Sequence, residues 1–188
     1  SKIGDLQKQA HVDLIKQVKH ADNLKMLSFS CGDGVWDYLS VKNNHNIKEV
    51  MATDIVDNPV SLEDRELIRQ YANWNFQKIQ PDCTLPFADN EFDIVIHQDV
   101  LEHTTKPTAT LSEQYRVLKK GGYILFGTPN VFRPANICKI FTGKLKFPLK
   151  IDYNKQIGAY YHMQEFCEQQ VLIMLKEVGF KEISVVPC

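Results

Sequence analysis

KMLSFSCGDGVWD, residues 25–37, is the stretch that decides the fold of this chain. It predicts a buried strand, a turn that contains glycine, and the start of a helix. A second apolar run ends at Asp54, twenty residues past Gly34. In an open α/β sheet this arrangement brings backbone N–H groups and a carboxylate to a nucleotide-like ligand, and the carboxylate accepts hydrogen bonds from ribose hydroxyls. Gly32 and Gly34 suit the turn because a Cβ would keep the backbone away from the ligand.

The composition is that of an ordinary globular domain. The 188 residues are 44% hydrophobic and 24% charged, and the net charge of −1 gives no electrostatic case for a nucleic-acid partner. The five cysteines form no Cys-x-x-Cys pair, which indicates reduced thiols and neither a disulfide framework nor a metal site. The chain has no signal peptide and no run of about 18 apolar residues, so we predict one cytoplasmic domain over residues 1–188 without a transmembrane segment.

Strand and helix patterns alternate along the chain. Strands are predicted at 26–30, 47–53, 74–79, 92–97, 123–128 and 180–186. Helices are predicted at 5–20, 35–41, 62–72, 108–119 and 164–178, with the fourth helix stopped by Gly121 and Gly122. Strands separated by helices predict an α/β fold with a doubly wound, mostly parallel sheet and helices on both faces.

Ligands of such sheets bind beyond the carboxyl ends of the strands, where the strand order reverses. The predicted tips are residues 28–34 after the first strand and residues 97–99 after the fourth, and the loop at 81–87 closes a third side.

Two other nucleotide-binding patterns fit the glycine turn poorly. A dinucleotide fingerprint requires a third glycine, and the charged Asp37 stands in that position. A P-loop is excluded because no Gly-Lys-Ser/Thr follows the turn.

Several segments follow one another in a characteristic order and spacing. They are LSFSCGDG at 27–34, TD at 53–54, DCTLPFADNEFDIVIHQDVLEH at 82–103, RVLKKGGYILFGTPN at 116–130, HMQEF at 162–166 and LKEVGF at 175–180. Together they resemble the class I S-adenosylmethionine-dependent methyltransferases. More narrowly, they are similar to the small-molecule group that includes the ubiquinone-biosynthesis and the sugar or glycan O-methyltransferases. The resemblance covers residues 25–187 and implies a Rossmann-like methyltransferase fold with S-adenosyl-L-methionine as cofactor.

The resemblance also implies which residues hold the methionine part of the cofactor. The family's glycine loop falls on Ser30, Gly32 and Gly34. The family usually has an acid where this chain has Ser28, and a glycine where it has Ser30. Serine is small and forms hydrogen bonds, so both serines are counted among the cofactor-binding residues.

The adenosine part is assigned in the same way. Asp54 matches the acid that holds both ribose hydroxyls, and Ile55 matches the apolar residue beside the adenine. Asp82 and Cys83 match the segment that hydrogen-bonds the adenine edge. Gln98 is expected near the sulfonium and its methyl group. The plain alternatives are that Asp54 starts an Asx-turn and that Asp82 caps a turn.

Three side chains are candidates for a catalytic base. His103 lies one turn beyond the fourth strand, His162 opens the HMQEF segment, and Asp99 follows the fourth strand. A base within about 3 Å sharpens a hydroxyl nucleophile, although an acidic acceptor such as a phenol needs none. The remaining histidines considered, His11, His20 and His45, are predicted to be solvated.

Residues 131–161 are predicted to form a lid over the substrate. This segment combines six basic residues with one acid, Asp152, and it contains six aromatic residues. Such a composition suits an anionic or amphiphilic acceptor, such as a phosphorylated sugar, a nucleotide sugar or a lipid-linked precursor. The alternative is a surface loop whose lysines serve solubility.

The function predicted is S-adenosylmethionine-dependent O-methylation of a small-molecule or glycan-type acceptor. A catalytically silent methyltransferase-like domain that binds a partner is the alternative. A nucleic-acid methyltransferase is disfavoured, because residues 98–101 read QDVL and not [DN]-P-P-[YF]. No residues remain in this sequence for the family's last antiparallel strand. We therefore expect either a fragment of a longer protein or a sheet edge that is completed otherwise, for example by pairing into a homodimer.

Overall fold

The computed structural model describes residues 2–18, 22–81, 84–144 and 162–187. The strands are β1 (Leu24–Ser28), β2 (Ile47–Asp54), β3 (Asn73–Lys78), β4 (Phe92–Gln98) and β5 (Leu118–Gly127). The helices are α1 (Lys2–Ile15), α2 (Val35–Asn43), α3 (Leu62–Arg69), α4 (Pro107–Val117), α5 (Pro134–Phe141) and α6 (Glu168–Val178). A short 3₁₀ helix spans Leu101–His103. None of the described helices is both long enough and apolar enough to cross a membrane.

The five strands form one parallel sheet in the order β3-β2-β1-β4-β5. β1 lies at the centre, where Met26 pairs with Val50 on one side and with Ile94 on the other. After β1 the chain adds β2 and β3 on one side of it, and then adds β4 and β5 on the other side. The predicted doubly wound α/β fold is therefore confirmed, and the carboxyl ends of β1 and β4 meet at the reversal point.

Alternate side chains of the central strands enter separate apolar cores on the two faces of the sheet. On one face Met26 and Ile94 join Ile15 of α1 in a buried cluster. On the other face Leu27 and Val95 join buried residues at the end of α4 and the start of β5. β4 is covered on both faces along its centre, where Ile94, Val95 and Ile96 form a continuous buried apolar run, as is typical of a parallel strand inside a sheet.

Glycine is required where β1 turns into α2. Gly34 caps the helix with a φ of 82°, a left-handed conformation that L side chains rarely adopt. A Cβ there would meet the Val60 side chain at 2.9 Å. The Asp33 carboxylate accepts a hydrogen bond from the Val35 N–H, 3.1 Å away, in the first turn of α2.

The prediction that two glycines stop the fourth helix is wrong. α4 ends at Val117, and the glycines lie within β5, where the register with β4 shifts. Gly121 has a φ of 79°, and a Cβ on Gly122 would meet the Asp93 carbonyl oxygen at 2.9 Å. The pair therefore forms an irregularity inside the strand.

The predicted strand at 180–186 is also absent, since the described residues 180–187 form neither helix nor strand. Glu182 has a φ of 54°, which interrupts an extended backbone, while Phe180 and Ile183 pack beside α6. β5 is thus an edge strand within the described sheet. Pairing of two chains through that edge stays a prediction.

Asp37 of α2 is a buried carboxyl group in the apolar interior. Its Oδ2 accepts a hydrogen bond from the Trp74 indole N–H, 2.8 Å away. Burial raises the pKa of Asp37 from 3.8 to about 6, and contacts with Ser28 and Trp74 offset part of this effect. Asp37 therefore does not contact solvent as an ordinary residue of a first helical turn would.

We expect Asp37→Asn to remove a pH dependence of stability. The folded protein binds a proton at Asp37 more tightly than the unfolded chain, so the free energy of unfolding falls as pH rises from about 4 to about 6. At about pH 8 the variant should be more stable than the native chain by up to about 3 kcal/mol, with little difference near pH 4, as urea unfolding would measure. Asp57→Asn, at an exposed carboxylate, is the control. A variant that is less stable at pH 8 would contradict the expectation.

Candidate active site

The turn after β1 and the end of β2 are in direct contact. The Gly32 N–H donates to Asp54 Oδ2 at 3.2 Å, and Asp54 Oδ1 accepts from the Ile55 N–H at 2.8 Å. Gly32 has a φ of 53°, and an added Cβ would meet nothing within 4 Å, so the turn faces open space. The structure therefore brings together the two motifs that the sequence analysis assigned to one ligand. Asp54 also forms the Asx-type turn, because Oδ1 lies 3.3 Å from the Val56 nitrogen.

The two serines of this segment differ in environment. Ser30 has a φ of 55°, in the left-handed region. Glycine adopts this conformation without cost, whereas the Cβ of a serine makes it cost about 1 kcal/mol. Ser28 is buried at the end of β1, beside Asp37. Cofactor contact by either serine stays a prediction, as it does for Ile55, which packs beside the second apolar core. Asp82 and Cys83 lie outside the described residues.

A chain of hydrogen bonds fixes the side chain of Gln98 at the tip of β4. The Ser40 hydroxyl donates to the Trp36 carbonyl oxygen at 2.7 Å, so it accepts from His11 Nε2 at 2.8 Å. His11 Nδ1 is then the acceptor for the Gln98 amide nitrogen, 3.4 Å away. The Gln98 amide oxygen lies against Gly127, where a Cβ would overlap it. The amide therefore has one fixed orientation.

His11 corrects one prediction of the sequence analysis. It is buried, not solvated, and burial lowers its pKa to about 4, which keeps the ring neutral. The apolar periodicity of α1 concealed this because His11 faces α2 and the tip of β4 and not the solvent. His45 is exposed as predicted, and His20 lies outside the described residues.

The three candidate bases lie together beyond β4. The ring centroids of His103 and His162 are 4.9 Å apart in an edge-to-face arrangement. Asp99 has a φ of 52°, and its N–H donates to the Gly127 carbonyl oxygen at 3.0 Å. Partial burial raises the pKa of Asp99, and the charges of the two imidazoles oppose that rise. The tip of β4 thus carries a cluster of titratable groups, which is typical of active sites.

Glu102 adds a buried carboxyl group to this cluster. Burial, with the nearby Asp99 charge as a smaller cause, raises its pKa to about 7, and its Oε2 accepts from the Thr128 hydroxyl at 2.9 Å. One ligand atom each of Glu102, His103 and His162 lies within 4.8 Å of the others. Carboxylate and imidazole groups at this spacing can hold a divalent cation as well as transfer a proton.

Three residues beside His162, namely Arg133, Asn136 and Glu165, were not among the site residues predicted from the sequence. Glu165 receives hydrogen bonds from His162, Arg133 and Asn136. The spacing of three residues between His162 and Glu165 was visible in the sequence. The other two come from the start of α5, and their approach depends on tertiary structure.

Comparisons with known proteins show what this chain is similar to. The family model described as "Methyltransferase domain" matches residues 27–126, more than half of the chain. The demethylmenaquinone methyltransferase of Staphylococcus saprophyticus is 32% identical over 113 residues, 60% of this chain and 47% of that protein. The ubiquinone biosynthesis O-methyltransferase of Hydrogenovibrio crunogenus is 22% identical over 133 residues, 71% of this chain and 54% of that protein.

A solved structure shows the same fold. A SAM-dependent methyltransferase from Aquifex aeolicus matches with a TM-score of 0.58 at 18% identity, over 91% of this chain and 79% of its own. The chain spans about half the length of the curated relatives it matches. On the family match, the resemblance seen in the sequence is confirmed: the chain belongs to this methyltransferase family, whose cofactor is S-adenosyl-L-methionine.

Proposed function

We propose that this protein transfers a methyl group to a hydroxyl oxygen of a small-molecule or glycan-type acceptor. The observation that carries the proposal is that two groups of residues, here called half-sites, lie together at the carboxyl ends of the strands. The Gly32–Asp54 contact lies beyond β1 and β2, and the group of Asp99, His103 and His162 lies beyond β4. A methyl donor and a proton acceptor are the two groups that O-methylation needs.

The first half-site fits a nucleoside cofactor. Asp54 presents a half-buried carboxylate to the open face of the Gly32 turn, as recognition of a ribose diol requires. The residues proposed to hold S-adenosyl-L-methionine are Ser28, Ser30, Gly32, Gly34, Asp54, Ile55 and Gln98, together with Asp82 and Cys83. When bound, the cofactor supplies a sulfonium methyl group that carries its own leaving group. The protein then has to orient the acceptor and exclude water.

The second half-site provides the proton acceptor. An acceptor hydroxyl becomes a stronger nucleophile as it loses its proton, and a neutral imidazole accepts that proton near neutral pH. His103 and His162 lie side by side for this role. Burial raises the pKa of Asp99, which lies close enough to both rings for their charges to oppose that rise. Glu102, with a pKa of about 7, can take up or release a proton in the same range.

Two observations bear on the acceptor. The two relatives reported above are named for quinone-type small molecules, which favours a small molecule over a glycan, and one of them is named as an O-methyltransferase. The start of the proposed lid exposes the apolar Phe132, Ile137 and Ile140 together with Lys139, which suits an amphiphilic or anionic acceptor. The rest of the proposed lid, residues 145–161, lies outside the described residues.

We expect Asp54→Asn to weaken cofactor binding by about 1.5–3 kcal/mol, because it removes the charge from hydrogen bonds to the ribose. The amide oxygen can still accept from the Ile55 and Val56 N–H groups, whereas the amide NH2 group cannot accept from the Gly32 N–H. Calorimetric titration with S-adenosylhomocysteine measures the effect, and Asp57→Asn is the matched control at an exposed carboxylate. Equal affinity in both variants would show that Asp54 stabilises its turn and does not bind the ribose. No binding by the native chain would favour the silent-domain alternative.

We expect His162→Gln and His103→Gln each to leave S-adenosylhomocysteine affinity unchanged and at least one of them to lower kcat by about 100-fold or more. Transfer of a labelled methyl group to a panel of catechols, quinols and sugar hydroxyls measures kcat. His45→Gln, at an exposed imidazole, is the control. If His162→Gln and His103→Gln both keep the native kcat, neither histidine acts as the base.

The same assay separates proton transfer from cation binding. Activity that survives dialysis against a chelator supports the imidazoles as proton acceptors. Activity that is lost and then restored by a divalent cation would assign Glu102, His103 and His162 to metal binding instead.

A further inference from the structure

The segment that carries His162 is held at both ends. The Met163 and Gln164 N–H groups donate to the Glu102 carbonyl oxygen at 2.6 and 3.3 Å. At the other end the Val131 N–H donates to the Phe166 carbonyl oxygen at 3.0 Å. These backbone bonds fix residues 163–166 between the 3₁₀ helix and the chain that follows β5. Helix α6 therefore begins only at Glu168, and not at 164 as the sequence predicts.

Glu165 lies in the middle of this segment with a side chain that is only 3% exposed. Its Oε1 accepts from Arg133 Nη2 at 2.5 Å and from His162 Nδ1 at 2.8 Å. Its Oε2 accepts from the Asn136 amide at 2.6 Å. A carboxylate at this depth is costly unless donors surround it, and here three donors converge on it.

The contact determines which nitrogen of His162 carries the proton. An ionised carboxylate is an acceptor only, so Nδ1 of His162 must be the donor. In the neutral ring the lone pair then lies on Nε2. That nitrogen is the one left to accept a proton from a substrate, in the same way that a carboxylate orients the histidine of a hydrolase triad.

We propose that Glu165 is a positioning residue for methyl transfer: it orients His162 and fixes its Nδ1–H tautomer. The inference rests on the proposed function, in which His162 accepts the proton of the acceptor hydroxyl. Neither the family match nor any motif assigns Glu165 a role. With the cofactor bound, the proton would pass from the hydroxyl oxygen to Nε2 as the oxygen–methyl bond forms and the sulfur–methyl bond of the sulfonium breaks, its electron pair remaining on sulfur as a neutral thioether. The positive charge that develops on the ring would be stabilised by the Glu165 carboxylate, whose Oε1 lies 2.8 Å from Nδ1.

The same carboxylate connects the base to the proposed lid. Arg133 is the N-cap residue of α5, and Asn136 lies in its first turn. Both donate to Glu165, so a displacement of the start of α5 would withdraw two of the three donors. Orientation of the base is thereby linked to the position of the segment that we expect to cover the acceptor.

Nitrogen-15 NMR of the histidine rings in the full chain tests the orientation without substrate. We expect native His162 to show the Nδ1–H tautomer at a pH where the ring is neutral. Glu165→Gln presents one oxygen to three donors, so the Nε2–H form should become substantially populated. Glu168→Gln, at an exposed carboxylate three residues away, should leave the native pattern. An Nε2–H tautomer in the native chain, or an unchanged tautomer in Glu165→Gln, would overturn the proposal.

Kinetics distinguish positioning from a purely structural role. With an acceptor from the hydroxyl panel, Glu165→Gln should lower kcat by about tenfold or more while the acceptor KM stays within about twofold. An unchanged kcat would overturn the positioning role. If Glu165→Gln fails to fold, the tautomer of the native chain still decides the orientation. If the native chain has the Nδ1–H tautomer but methylates no hydroxyl, the proposed function fails while the orientation by Glu165 holds.

Discussion

Parallel pairing of β1 with both β2 and β4 is the constraint on which the site depends. Because β1 is shared, the ends of β2 and β4 lie on either side of the same strand tip, although they are more than forty residues apart in the chain. Because the strands are parallel, the loops that follow them all lie at the same end of the sheet, the carboxyl end. The contact between Gly32 and Asp54 and the fixed amide of Gln98 both follow from this arrangement.

The two halves of the site are built differently. The Gly32–Asp54 half comes from one strand–helix–strand unit, residues 24–54, and its key hydrogen bonds use backbone N–H groups. The half around His162 brings together three segments that are distant in the chain: the 3₁₀ helix Leu101–His103, the start of α5, and residues 162–166. Its key hydrogen bonds join side chains. The first half therefore depends on the backbone conformation at its glycines and on one side chain, that of Asp54. The second half depends on the identity of each side chain.

This difference explains how far the sequence could be interpreted. The fold class and the Gly32–Asp54 contact follow from local patterns, and the alternation of elements predicts the sheet. The burial of His11 and the donors to Glu165 could not be predicted, because they depend on how helices pack against strand tips. The end of α4 was misassigned for a related reason. Gly121 and Gly122 are typical of a helix end, whereas here they form an irregularity within β5.

The cluster beyond β4 contains two buried carboxyl groups whose surroundings give them opposite capacities. Glu165 faces a guanidinium, an amide and an imidazole N–H, so it acts as an acceptor. Glu102 accepts a hydrogen bond from the Thr128 hydroxyl. Burial raises the pKa of Glu102 to about 7, so this carboxyl group can also carry a proton. In the function that we propose, Glu165 orients the base and Glu102 is available to exchange the proton. The imidazoles of His103 and His162 lie beside these two carboxyl groups, and on this arrangement we base the proposed proton transfer from an acceptor hydroxyl.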